Sequence, residues 1–168
     1  EYGKIDILIN NAAIYEDSTI WNMSSEIWDK VIRSDLTSVF NCTKYATKYM
    51  REQRHGRIIN ISSVVGLTGV FGTCNYATAK AGIFGLTKTV AKEVATRNIT
   101  VNALTLGYFE EGMLVRLPED TQDYILKQIP MKRWGKPSEV VHTAMFLASE
   151  EAGYITGQII NVNGGYYM

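Results

Sequence analysis

Along the chain, short apolar runs alternate with longer stretches in which apolar residues recur at helical spacing. Ile5-Asp6-Ile7-Leu8-Ile9 is a β-branched run stopped by Asn10-Asn11. A helical region follows from Ser25 to Arg54, with Ile27, Val31, Phe40, Tyr45 and Tyr49 in phase and Gly56 as the stop. Arg57 to Ser63 reads as a second strand, Asn75 to Arg97 as a second long helix, and Ile99 to Leu106 as a third strand closed by Gly107. After Pro137, whose fixed φ suits a helix start, a helix runs to Ser149, and Ile159 to Val162 gives a last strand. Near-continuous apolar strands alternating with helices predict an α/β fold whose parallel sheet is covered on both faces.

Two features of this pattern stand out. The segment from Tyr108 to Gly135 has no clear periodicity; a run of that length reads as a lid over a site, or as a surface excursion with one or two short helices. The first strand is apolar on both faces, as a central strand is, with nothing before it to pair with. The chain also opens without Met, on Glu1-Tyr2-Gly3-Lys4. Both observations predict further strands before Glu1, and poor solubility or domain swapping if residues 1–168 form a single domain alone.

Composition narrows the function classes. Lys and Arg total 17, Asp and Glu 17, so the net charge is zero, and no basic run marks a nucleic-acid surface. No apolar stretch reaches the roughly 18 residues of a membrane span. Cys42 and Cys74 make neither a disulfide framework nor a metal-ligand spacing; with no metal site, this usage predicts a cytoplasmic protein. His55 and His142 stand alone and are expected on helix surfaces, and Trp21, Trp28 and Trp134 are expected in core or interface packing rather than along an acyl channel.

The candidate chemistry lies in Ser63, Tyr76 and Lys80. Ser63 closes the second strand, at the sheet end where open α/β folds place ligands. Tyr76 and Lys80 are four apart, on one face of the next helix. Chance alone supplies about 0.6 such Tyr-Lys pairs in a chain of this composition, so the pair by itself reads as a surface contact. Its context is more telling: of ten tyrosines only Tyr76 has Lys at this offset, thirteen residues beyond a strand ending in Ser-Ser.

Asn75-Tyr76-Ala77-Thr78-Ala79-Lys80-Ala81-Gly82, with Asn10-Asn11-Ala12 after the first strand and Asn163-Gly164-Gly165 near the end, resembles the short-chain dehydrogenase/reductase family over the whole chain, within it the 3-oxoacyl-[acyl-carrier-protein] reductase type. The resemblance implies a Rossmann-like doubly wound sheet, of which this chain supplies the carboxyl-terminal two thirds. It implies an oxidoreductase that exchanges hydride between NADP or NAD and a carbonyl, here the keto group of a 3-oxoacyl thioester. Tyr76 becomes the general acid/base, with its phenol made more acidic by the Lys80 ammonium. Ser63 becomes a donor to the substrate oxygen, and Asn11, Tyr76, Lys80 and the backbone near Phe109 become cofactor contacts. Ser62 is read as a strand-end hydroxyl without a catalytic part.

The same resemblance exposes departures. No glycine-rich, pyrophosphate-cradling turn occurs in the chain. The fourth catalytic position of the family, an Asn that holds a water, is Asp35 here; its carboxylate either holds that water or pairs with Lys80 and cancels the field on Tyr76. Leu106-Gly107 replaces Pro-Gly, Glu111 a cofactor-contacting Thr, and Ala13 a Gly. Arg54 and Arg97 match positions that dock an acidic carrier protein, and equally suit helix C-termini. The two long helices match those that join subunits into a homotetramer or homodimer, and Phe40, Tyr45 and Tyr49 suit that contact or internal packing. Two alternatives remain open: an alcohol or sugar dehydrogenase of the same family, and a non-catalytic relic or assembly partner that binds no nucleotide.

Overall fold

The computed structural model describes residues 3–112 and 117–168. Its strands are β1 (Ile7–Asn10), β2 (Gly56–Ser63), β3 (Ile99–Leu106) and β4 (Ile159–Val162). They form one parallel sheet in the order β1-β2-β3-β4, in register through Ile9 with Ile59, Ile59 with Asn102 and Ala103 with Ile159. Parallel neighbours require crossovers, and helices supply each one. Helices α1 (Ser25–Ile32) and α2 (Ser38–Gln53) join β1 to β2 through one π-helical turn, Arg33–Thr37. The short α3 (Val65–Thr68) and the long α4 (Cys74–Val94) join β2 to β3. Helices α5 (Glu119–Gln128) and α6 (Pro137–Ala148) lie between β3 and β4.

The strand alternation sorts the core onto two faces. Ile58 and Val101 meet Ala46 and Met50 of α2 and Ala91 and Val94 of α4. Ile59, Ile61 and Leu104 meet Leu147 of α6 on the other side. Every residue of β2 is buried, and all of β3 but the last, as covering on both faces demands. Strand β1 pairs only with β2 among the described residues, and Ile7 and Ile9 remain half exposed.

Differences from the pattern-based expectations are local. The helix expected over Ser25 to Arg54 contains the π turn, where the Ser38 N–H reaches back to the Arg33 carbonyl; side-chain periodicity does not report a single extra residue. The second long helix ends at Val94, and Ala95–Arg97 tightens into a 3₁₀ turn. The aperiodic segment holds α5, and its residues 113–116 lie outside the described residues. His142 is exposed on α6, but His55 sits in the turn before β2 with its Nε2 3.7 Å from Glu150 Oε1. Arg57, fully buried on β2, donates to Glu150 at 3.0 Å and to the carbonyls of Gly56, Asn98 and Ser149. It ties β2 to the end of α6, and no spacing in the sequence signals it.

A chain of buried amides crosses the α2/α4 side. Asn10 Nδ2 donates to Thr43 Oγ1 at 3.2 Å and to Asn60 Oδ1 at 2.7 Å, and Asn60 Nδ2 donates to Thr87 Oγ1 at 2.9 Å. The network links β1, β2, α2 and α4 and satisfies polar groups that burial would otherwise penalise. Asn60→Ala removes its centre and strands Thr87; we expect a loss of about 2–3 kcal/mol, read from urea unfolding.

Candidate active site

The carboxyl ends of parallel strands point one way, so the residues after β1, β2 and β3 are gathered at one end of the sheet. There a cavity of about 510 Å³ is lined by Asn11, Tyr15, Ser63, Val70, Tyr76, Lys80, Gly107, Phe109 and Glu111, with Leu117, Thr121 and Ile125 from and beside α5. Helix α5 therefore contributes part of the cavity lining. Two glycines permit the close approaches around it. A Cβ on Gly66 would stand 2.8 Å from the Ala81 nitrogen, so Gly66 lets α3 rest on α4 beside Lys80. One on Gly107 would stand 2.7 Å from the Asn163 Cα, where the end of β3 meets the turn after β4.

Ser63, Tyr76 and Lys80 come together here. Ser63 Oγ accepts the Val65 N–H at 3.2 Å and lines the same cavity as the Tyr76 phenol. Tyr76 is 4% exposed, with the Tyr15 ring set edge-on at 5.1 Å between centroids. The Lys80 ammonium lies 5.4 Å from the Tyr76 ring centroid and donates to the Ile61 carbonyl at 3.3 Å. Ser62 donates to the Lys80 carbonyl at 2.8 Å and so serves the packing of β2 on α4.

Asp35 joins them from the π turn. It is fully buried; Oδ1 accepts the Ile14 N–H at 2.8 Å, and Oδ2 lies 3.8 Å from Lys80 Nζ without a hydrogen-bond partner. The Asp35 carboxylate therefore lies within ion-pair distance of Lys80. Its electrostatic effect opposes the acid phenol expected from the sequence. Burial pushes the Tyr76 phenol up to about 12, the neighbouring Ser63 hydroxyl draws it back, and the Asp35 carboxylate pushes it higher. Burial draws the Lys80 ammonium below its ordinary range, and Asp35 resists that. Desolvation is thus the largest influence on both groups.

The other candidates separate. Asn11 is exposed at the cavity rim while Asn10, its neighbour, is buried in the amide network. Phe109 lines the cavity and packs on Gly135 through an isolated bridge. Arg54 and Arg97 lie close together, the Arg54 guanidinium donating to the Thr96 carbonyl at 3.3 Å, just before β2 and β3 begin. They are therefore at the opposite end of the sheet from Ser63. Trp21 is exposed, not packed in a core. Tyr15 was missed by sequence reasoning because nothing in its spacing places it against Tyr76. No group of three His, Cys, Asp or Glu side chains suited to a metal occurs among the described residues, and no helix among them is long and apolar enough to cross a membrane.

The family model described as enoyl-(acyl carrier protein) reductase matches residues 1–167. The chain is 50% identical over 165 residues to the 3-oxoacyl-[acyl-carrier-protein] reductase FabG of Thermotoga maritima, covering 98% of this chain and 67% of that protein. It is 48% identical to the protein of the same name from Staphylococcus epidermidis and 47% to that from Escherichia coli, in each case over 168 residues, all of this chain and 69% of the relative. The chain belongs to the short-chain dehydrogenase/reductase family.

This short-chain dehydrogenase/reductase is thus an NAD(P)-dependent oxidoreductase by family, and its cavity is consistent with that cofactor. Tyr76, Lys80 and Asn11 bring a hydroxyl, an ammonium and an amide to the cavity lining, a donor set that fits a nicotinamide and its ribose. Glu111 adds a carboxylate to the lining. Because Asp35 raises the phenol, Asp35→Asn should let Tyr76 ionise at lower pH. A carbon-13 tyrosine Cζ titration of the two proteins reads this directly.

Proposed function

We propose that this chain reduces the keto group of a 3-oxoacyl thioester to the 3-hydroxyacyl product, with NADPH or NADH as reductant. The observation that carries the reading is the convergence of Ser63, Tyr76 and Lys80 on one cavity at the carboxyl ends of the strands. The 47–50% identity to proteins named 3-oxoacyl-[acyl-carrier-protein] reductase supports the substrate class and an acyl-carrier-linked thioester. The nicotinamide, when bound, supplies the hydride.

The chain's own residues handle the oxygen and its proton. Ser63 and Tyr76 donate hydrogen bonds to the substrate carbonyl, where negative charge develops during reduction. Tyr76 then gives its proton to the nascent alkoxide, a far stronger base than a phenolate. Lys80, held by Ile61 and Asp35, orients the cofactor ribose and steadies the phenolate that remains. Asn11 and the backbone near Phe109 complete the cofactor contacts. A phenol held near 12 is protonated at neutral pH, the form that gives its proton to the nascent alkoxide.

The carrier-docking role of Arg54 and Arg97 acquires a geometric condition. An eight-residue strand spans roughly 26 Å, and these arginines lie at its far end from Ser63. A carrier held there serves the cavity of a neighbouring copy. The exposed Phe40, Tyr45 and Tyr49 on α2 support an assembly of two or four copies. The Asp35–Lys80 pair favours a second reading, a scaffold that no longer binds nucleotide. An NADPH fluorescence titration separates the two, since the reductase quenches or enhances it saturably and the scaffold leaves it unchanged.

Tyr76→Phe should lower keto reduction by about 10²–10⁴-fold, followed as loss of NADPH absorbance with a 3-oxoacyl thioester; an undiminished rate removes Tyr76 from the mechanism. Asp35→Asn should raise turnover several-fold, because the uncharged amide no longer offsets the Lys80 ammonium. A lower or unchanged rate refutes that opposition.

A further inference from the structure

Two large aromatic side chains stand beside the cavity and take no part in the reaction above. Trp21 is 72% exposed and Phe71 81%, yet their rings form an edge-to-face pair, 6.2 Å between centroids at 64°. They come from different loops, one after β1 and one after α3. A parallel bridge between Ser18 and Thr73 ties these loops, and the Ser18 N–H donates to the Gly72 carbonyl at 2.9 Å. Thr73 also donates, through its N–H and its hydroxyl, to the Val70 carbonyl at 3.2 and 2.8 Å. The turn that presents Phe71 is therefore braced.

Val70 connects this surface to the chemistry. It lines the cavity with Ser63 and Tyr76, and it directly precedes Phe71. An apolar path thus runs from the reacting phenol out over Val70 to Phe71 and Trp21. Exposed aromatic area of this kind marks a binding surface. The Ser18 and Thr73 N–H groups are already taken up by the Gly72 and Val70 carbonyls, so the rings are what the surface chiefly offers. An occupant that is apolar and lacks hydrogen-bonding groups matches it; a peptide strand does not.

We propose that Val70, Phe71 and Trp21 form a shelf for the alkyl tail of the acyl substrate, and that this shelf sets the preference for chain length. The inference rests on the 3-oxoacyl reading above. A short acyl group ends within the cavity, whereas a long one emerges past Val70 and lies on the two rings, shielding them from water.

The test uses the full chain with saturating oxidised NADP or NAD and non-hydrolysable thioether analogues of 3-oxoacyl pantetheine with four or twelve carbons. Titration calorimetry should show the twelve-carbon analogue binding roughly tenfold tighter, with a blue shift in tryptophan emission that Trp21→Phe abolishes. Phe71→Ser should reduce that preference to about twofold with an unchanged melting temperature. Equal affinity for both analogues, or a preference that survives Phe71→Ser, overturns the shelf and leaves the thioester reading intact. Binding of neither analogue overturns both. A dimer in sedimentation that Phe71→Ser dissociates gives the patch to a second copy instead and likewise overturns the shelf.

Discussion

The buried ammonium of Lys80 is the constraint around which this site is organised. A cation 3% exposed has lost most of its hydration and persists only where fixed partners replace it. Those partners come from three separate elements: the carbonyl of Ile61 on β2, the carboxylate of Asp35 in the π turn, and the face of Tyr76 one helical turn away. Each must be in place for the others to be tolerated, so the sheet register, the π turn and the seating of α3 on α4 are fixed by the same charge that the chemistry uses.

Burial has a double consequence for function. It makes Lys80 dependent on Asp35, and it raises the Tyr76 phenol to about 12, so the site rests in its proton-donating form. The same dry environment strengthens every hydrogen bond that Ser63 and Tyr76 can offer a carbonyl oxygen. A carboxylate at position 35 steadies the lysine and opposes its effect on the phenol at once. The fold keeps the pair because Oδ1 of Asp35 also anchors the loop after β1 through the Ile14 N–H.

The polar interior extends this logic beyond the site. Asn10, Thr43, Asn60 and Thr87 form a satisfied amide and hydroxyl chain on one face of the sheet. Arg57 clamps the other end of β2 through carbonyls and Glu150. These directional contacts hold strand positions that apolar packing alone would leave free to slide. The loops that frame the cavity mouth, one bearing Trp21 and the other Phe71, are fixed in turn by the Ser18–Thr73 bridge.

Much of the fold was legible in one dimension because parallel strands covered on both faces must be apolar throughout, and crossover helices must be apolar on one stripe. The order of strands and helices, and the nearness of Ser63 to the Tyr76–Lys80 pair, follow from that periodicity and from strand-to-helix adjacency. The pairing of Asp35 with Lys80, the buried Arg57, the Tyr15 edge contact and the exposed Trp21–Phe71 pair were decided by tertiary structure alone. Each joins residues from 41 to 93 positions apart, where no sequence period operates. Whether a charge is solvated or buried depends on what the rest of the chain folds against it, and that sets the proton affinity of Tyr76.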